Sequence, residues 1–239
     1  MFLYYIRHGR PTYSPDALKP VGVRQAESIG RRVSLHGLSR VFASSSNRAI
    51  ETARPAAEIC EREIEVLDWC NEGHAWEYTA RPAPGGGMKW AFTLPAYRRL
   101  FLSPEVLALG DRWYDHPAFA DTRFREGCET VGAQADAFLA DLGYVHDRAR
   151  HVYSAVRHND DRVALFAHEG FGKLFLSLVL DIPYPIFCMR FDLFYATLTV
   201  VEFNLEDDGT VVPSFRAVND TGHLLHDGLS NSYPGRLPV

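Results

Sequence analysis

A chain of 239 residues carries enough material for one sizeable core, and a single domain with an insertion accounts for that length better than two complete domains. Apolar residues make up 46% and charged residues 23%, which excludes disordered and collagen-like chains. The net charge of −5, from 25 Lys plus Arg against 30 Asp plus Glu, leaves no global positive field for nucleic acid or an anionic membrane, so recognition of an anion has to be local.

Phe2 to Ile6 is a continuous apolar run followed by Gly9 and Pro11. It reads as a strand buried on both faces that ends in a loop, the pattern of a parallel sheet. The run is too short for the apolar core of a signal peptide, and no later run approaches a membrane span, so a cytoplasmic location is expected. Cys60, Cys70, Cys128 and Cys188 are far apart and form neither a CxxC pair nor a zinc spacing, which suits reduced thiols in that compartment.

From about Gly22 to His36, Val23, Ala26, Ile29 and Val33 recur at three and four, which predicts an amphipathic helix with Gly37 as its stop. Val41-Phe42-Ala43 is a short strand candidate. A helix follows from Asn47 to Cys60 with Ser46 as N-cap, and Pro55 is expected to kink or restart it. Arg48 and Thr52 are four apart and share a face of that helix near its start.

The region from about 71 to 125 breaks the alternation. It holds Gly85-Gly86-Gly87, five prolines and three of the four tryptophans, and it reads as a lid or cap insertion. Trp76, Tyr78, Trp90, Tyr97, Phe101, Trp113 and Tyr114 serve either as an aromatic lid or as core. Arg98, Arg99, Arg112, Arg123 and Arg125 offer either a site for a second anionic group or, read singly, solvated surface. Helical patterning resumes from about Thr130 to Arg150, and Val163 to Ala167 repeats the design of the first strand, ending in His168, Glu169 and Gly170. A helix through Phe171 to Leu180, a run at Leu193 to Phe203 and a strand near Val211 to Val218 complete an α/β pattern.

His8 and His168 each follow a buried strand and stand close to a glycine, where open α/β sheets place their ligand crevices. Arg7 and Arg48 bring guanidinium groups to the same rim, and these match phosphate oxygens bidentately. Taken singly, Arg48 has Glu51 as an obvious surface partner.

Three strings resemble the histidine phosphatase superfamily, which includes the phosphoglycerate mutases: Arg7-His8-Gly9 after an N-terminal strand, Gly22-Val23-Arg24-Gln25-Ala26, and Ser44 through Ala53. Phe166-Ala167-His168-Glu169-Gly170 resembles that family's second-histidine motif. The resemblance covers about residues 1–72 and 126–203 and implies a three-layer α/β sandwich with a mostly parallel sheet. It also implies that His8 is a phosphate-accepting nucleophile, that Arg7 and Arg48 clamp the phosphate, that His168 is a further donor, ideally protonated, and that Glu72 is the general acid. Glu129 resembles a further motif glutamate and is treated as structural.

Gly9 and four departures or neighbours are expected to touch substrate. After Gly9 stand Arg10 and, further on, Ser14 where the family commonly has Glu-Thr and Asn; Glu169 replaces a usual glycine; and His74 closely follows Glu72. Glu169 is expected to present its N–H rather than its side chain. The chemistry implied is hydrolysis of a small anionic phosphate ester with no cofactor and no metal, a phosphoglycerate-mutase-type transfer and a catalytically silent phospho-ligand binder being the alternatives. Neither nucleic acid nor a membrane is an expected partner, and a homodimer is left open. His223 and His226 have no assigned partner.

Overall fold

The structure, a computed structural model, describes residues 1–157 and 159–230. Eight strands form one sheet: β1 (Phe2–Arg7), β2 (Arg40–Ser44), β3 (Ile64–Leu67), β4 (Tyr144–Asp147), β5 (Val152–Ala155), β6 (Arg162–Ala167), β7 (Leu198–Leu205) and β8 (Thr210–Asp220). Their order across the sheet is β3-β2-β6-β1-β7-β8-β5-β4. The sheet is mixed. β3, β2, β6 and β1 run parallel, whereas β7, β8, β5 and β4 extend it from β1 as antiparallel neighbours.

The continuous apolar runs belong to the parallel half, because strands buried on both faces leave no polar alternation. In β1, Leu3 and Tyr5 join one apolar cluster while Ile6 joins another across the sheet; in β6, Val163 and Leu165 alternate with Ala164 and Phe166 in the same way. One face is covered by α1 (Pro20–Ser34) and α2 (Asn47–Cys60), whose Ile29, Val33, Ala53 and Ala56 meet Ile6, Val41 and Phe166. The other carries α4 (Phe124–Asp141) and α5 (Glu169–Val179), with Phe138, Phe171 and Phe175 against Tyr5 and Phe42. The three-layer expectation is met.

α2 runs unbroken through Pro55, so the proline does not restart the helix. A Cβ on Gly30 would lie 2.7 Å from the Pro55 Cβ, so the ring occupies the close approach between α1 and α2. The helix predicted to reach Arg150 stops at Asp141, since Gly143 takes φ +100°, and β4 and β5 follow. Gly37, at φ +73°, returns its N–H to the Ser34 carbonyl and ends α1 as expected.

The region read as an insertion leaves β3 through α3 (Glu72–Thr79), pairs Ala80–Pro82 with Met88–Trp90, and crosses two short helices, Pro95–Phe101 and Pro104–Leu107, before α4. Its aromatics divide between two duties. Phe101, Trp113 and Phe119 are buried with Phe124 and Tyr184 in the same cluster as Leu3 and Leu165, each such side chain worth roughly 1.5–3 kcal/mol of burial. Trp76 and Trp90 face a cavity instead. Arg112, Arg123 and Arg125 are exposed and pair with Asp115, Glu126 and Asp115 respectively, in keeping with a surface role. No helix among the described residues is long and apolar enough to cross a membrane.

Candidate active site

The register of the parallel half delivers the two histidines together. Arg7 of β1 is paired with Ala167 of β6, so His8 and His168 leave adjacent strands at the same level, with the His8 N–H bonded to the Ala167 carbonyl at 2.9 Å. Their ring centroids are 5.1 Å apart. β2 ends alongside at Ser44, and β3 ends in a turn that starts α3 at Glu72. Four parallel strands thus contribute to one C-terminal edge, the position at which α/β sheets gather ligand sites.

The turn after β1 depends on missing side chains. A Cβ on Gly9 would lie 2.6 Å from the Gly22 carbonyl oxygen, and one on Gly22 would lie 2.2 Å from that of Arg10. The two glycines therefore let the loop lie directly on the start of α1. The Gly9 N–H donates to Thr52 Oγ1 at 3.0 Å, and Thr52 donates to the Arg48 carbonyl at 2.7 Å, which ties this loop to α2.

His8 Nδ1 donates to the Gly9 carbonyl at 2.7 Å, leaving the lone pair on Nε2, which accepts from Arg48 Nε at 3.2 Å. His168 has the opposite tautomer. Its Nδ1 accepts from Arg48 Nη2 at 3.2 Å, so Nε2 carries the proton that faces Ser44 Oγ at 2.8 Å and Ser46 Oγ at 3.2 Å. Ser46 is the N-cap residue of α2 as expected, but its hydroxyl is spent on His168 and makes no cap bond. Tyr5, deep in the apolar cluster, donates its hydroxyl to the His168 carbonyl at 2.6 Å and accepts from the His168 N–H at 3.2 Å.

Arg48 turns away from Glu51, which is taken by Asn47 and the Leu18 N–H, and instead spans both imidazoles and Asp16, the last at 2.8 Å. Arg7 is 5% exposed, lies over the Tyr195 ring at 4.0 Å, and uses Nη1 for Glu169 Oε2 and for the Leu193 carbonyl, both at 2.7 Å. Glu72 reaches across to the start of α5, where its Oε1 accepts from the Gly170 N–H at 2.9 Å and its Oε2 lies 3.9 Å from His168 Nδ1.

Burial, and then the proximity of His168 and the charges of Arg7 and Arg48, hold His8 well below the ordinary imidazole range. His168 is held down in the same way by burial, Arg48 and Arg7. The expected division into one neutral and one protonated ring is therefore not what the surroundings impose; both are neutral. Glu72 is raised to about 7, because burial outweighs Arg7 and the two backbone N–H groups that favour its charged form.

Residues 3–83 match the model of the histidine phosphatase superfamily (branch 1). Solved structures of similar fold include a phosphoserine phosphatase mutant from Entamoeba histolytica in complex with phosphoserine, at 17% identity and a TM-score of 0.58, covering 93% of this chain and 98% of that one. A mycobacterial glucosyl-3-phosphoglycerate phosphatase shares 16% identity at TM-score 0.58, covering 92% and 99% respectively. The alpha-ribazole phosphatase from Shigella flexneri shares 16% at TM-score 0.55, covering 92% and 96%. No curated protein sequence matches the chain. Similarity to this superfamily thus lies in residues 3–83, and the fold over 92–93% of the chain is like that of these solved structures.

A cavity of about 730 Å³ opens at the strand ends, lined by Arg7, His8, Arg48, Glu72 and Glu169 and walled by Trp76, Trp90 and Phe92 from the region between β3 and α4. Arg98, expected on the solvated surface, stands at its exposed rim and donates to the Phe92 carbonyl at 3.0 Å. His168 lies beneath His8 and is fully buried. Gly9, Arg10, Ser14 and His74 do not line the cavity. Gly9 spends its N–H on Thr52, Arg10 uses its N–H on Gln25, Ser14 is exposed on the turn between Pro11–Tyr13 and Asp16–Leu18, and His74 points to Asp68 at 3.1 Å. Glu169, expected to turn its side chain away, instead projects it into the cavity wall because Arg7 and Lys173 hold it there, Lys173 at 3.3 Å. Glu129 is exposed on α4 and borders a different cleft.

Several contributors were not singled out from the sequence. Lys173 is a lone charge within the apolar stretch of α5, four residues after Glu169, and that isolation is the signal that marks it. Tyr5 and Tyr195 lie in apolar runs with no distinguishing spacing, and Ser44 opens the string Ser44 through Ala53 without a role assigned to it. Among the described residues, no group of three or more His, Cys, Asp or Glu is arranged to hold a metal ion.

Proposed function

We propose that this chain is a phosphomonoester hydrolase acting on a small phosphorylated metabolite through a phosphohistidine intermediate on His8. The observation that carries this reading is the tautomer of His8. With its Nδ1 proton committed to the Gly9 carbonyl, the Nε2 lone pair faces Arg48 at the cavity. A neutral ring so oriented attacks phosphorus while the ester P–O bond breaks. Arg48 and Arg7 match the charge that develops on the phosphoryl oxygens.

The leaving alkoxide takes its proton from Glu72, whose carboxyl holds one near neutrality. Water then attacks the phosphorus of the phosphorylated His8 and gives a proton to the Glu72 carboxylate, a P–O bond forms as the P–N bond to Nε2 breaks, and phosphate leaves. His168 shares its Nδ1 side with Arg48 and Glu72, so an arriving phosphoryl dianion raises its proton affinity and turns it into a donor.

Hydrolysis is favoured over transfer to a second substrate hydroxyl by the state of Lys173. This buried cation is held by Glu169 and by Asp192 at 3.0 Å, so among the described residues lining the cavity the cation left for a second anionic group is Arg98 at the exposed rim, where water screens it. The test is a panel of phosphate esters assayed for free phosphate and for labelled protein, with and without chelator. Turnover unaffected by chelator and label that disappears in His8→Ala are expected; isomerisation of 3-phosphoglycerate faster than hydrolysis would reassign the chain as a mutase.

A further inference from the structure

Both arginines that face His8 also meet carboxylates, but in different settings. Arg48 pairs outward with Asp16, whose side chain is 34% exposed, whereas Arg7 is buried against Glu169. Behind Glu169 stand Lys173, at 3.3 Å from its Oε1, and Asp192, at 3.0 Å from the Lys173 Nζ. The row Arg7, Glu169, Lys173, Asp192 alternates in sign, and its Arg7 end adjoins His8. Glu169 also opens α5 immediately before Gly170, whose N–H binds Glu72.

Resting on the phosphatase reading, we propose that Glu169 is a positioning residue that fixes Arg7 against Leu193 and offsets its charge, so that the pocket holds a transferring phosphoryl group without retaining the phosphate product. A guanidinium with no anionic neighbour would bind phosphate more tightly and release it more slowly. The same carboxylate acts on Glu72 in two ways. It repels the Glu72 anion directly, and it weakens the pull of Arg7, which favours that anion. Phosphate affinity and the proton on Glu72 are thereby set by one side chain that need not touch substrate.

The experiment compares wild type, Glu169→Gln and Glu169→Ala by calorimetric titration with inorganic phosphate and by the pH profile of kcat on a phosphate ester. Gln keeps an acceptor for Arg7 but removes the charge, whereas Ala removes both. Glu169→Gln is expected to bind phosphate about tenfold more tightly and to lose activity on the basic side about one pH unit earlier. Glu169→Ala is expected to show the same pH displacement with a raised KM, because Arg7 loses an anchor. Unchanged or weaker phosphate binding in the Gln variant, or an unmoved pH profile, overturns the role assigned to the charge. Wild-type protein that binds phosphate but hydrolyses no ester would defeat the phosphatase reading while leaving the titration to judge Glu169, and wild type that binds no phosphate would defeat both.

Discussion

Two buried imidazole centres in this molecule have opposite electrostatic surroundings. His8 and His168 sit among Arg7 and Arg48 and are held neutral. His146, on β4, has Asp136 and Asp181 each 3.0 Å from a ring nitrogen and stacks on Tyr153 at 4.0 Å. Two carboxylate acceptors require two donors, so His146 carries both protons. Burial opposes its charge, but the hydrogen bonds to Asp136 and Asp181 outweigh that cost and raise its pKa. The same side chain, equally hidden from water, is thus a lone-pair base in one place and a cationic clamp in the other. Neighbouring charge, not burial alone, decides which.

The sharpest way to break this contrast is to remove the base. His8→Ala is expected to lower kcat by ~10⁴-fold or more and to abolish phosphoenzyme, read by steady-state assay and by intact mass. Glu72→Gln comes next, with a loss of ~10²–10⁴-fold in kcat. In wild type, activity should fall as pH rises through about 7, because Glu72 loses the proton the leaving group needs, and the variant's profile should flatten there.

His146→Ala tests the other centre. It leaves Asp136 and Asp181 without their shared cation and should cost roughly 2–3 kcal/mol in urea unfolding with little change in kcat, the partial exposure of the aspartates moderating the loss. The pH dependences should run in opposite directions. The folded pKa of His146 is raised, so its contribution is complete below the unfolded value of about 6.5 and fades as pH climbs through the folded pKa. The folded pKa values of His8 and His168 are depressed, so their contribution is present above about 6.5 and is lost as pH falls toward the folded values. Unfolding free energies of His146→Ala and wild type should therefore converge in alkali. The smallest effect concerns the cavity wall: a Cβ on Gly170 would meet the Trp90 ring at 2.3 Å, so Gly170→Ala should displace Trp90 at a cost of about 1–2 kcal/mol in unfolding.

Only one of these centres was visible in the sequence, and the reason is physical. His8 and His168 end runs of apolar residues, and parallel strands buried on both faces announce themselves by such runs. His146 lies in Tyr144–Asp147, a short strand whose paired carboxylates come from α4 and from the turn after α5, so no local spacing reveals it. The antiparallel half is harder to read in the same way, since β4 and β5 are four residues each: β4 falls inside the helical pattern read as far as Arg150, and β5 lies just beyond it in a stretch read as neither helix nor strand. Arg48 illustrates the converse: the nearby Glu51 suggested a surface pair, and only the tertiary arrangement shows that Glu51 is occupied by the Leu18 N–H. In the insertion, composition indicated an aromatic region but not which rings wall the cavity and which fill the core.

The pairing of Arg7 with Ala167 has a consequence for how such a fold diversifies. Adjacent strands lie about 4.8 Å apart, close to the 5.1 Å between the two imidazole rings. That separation is therefore a property of the backbone lattice, independent of any loop. Segments hung on the strand ends are free to be lengthened, shortened or exchanged, altering which ligand is admitted while the two rings keep their spacing.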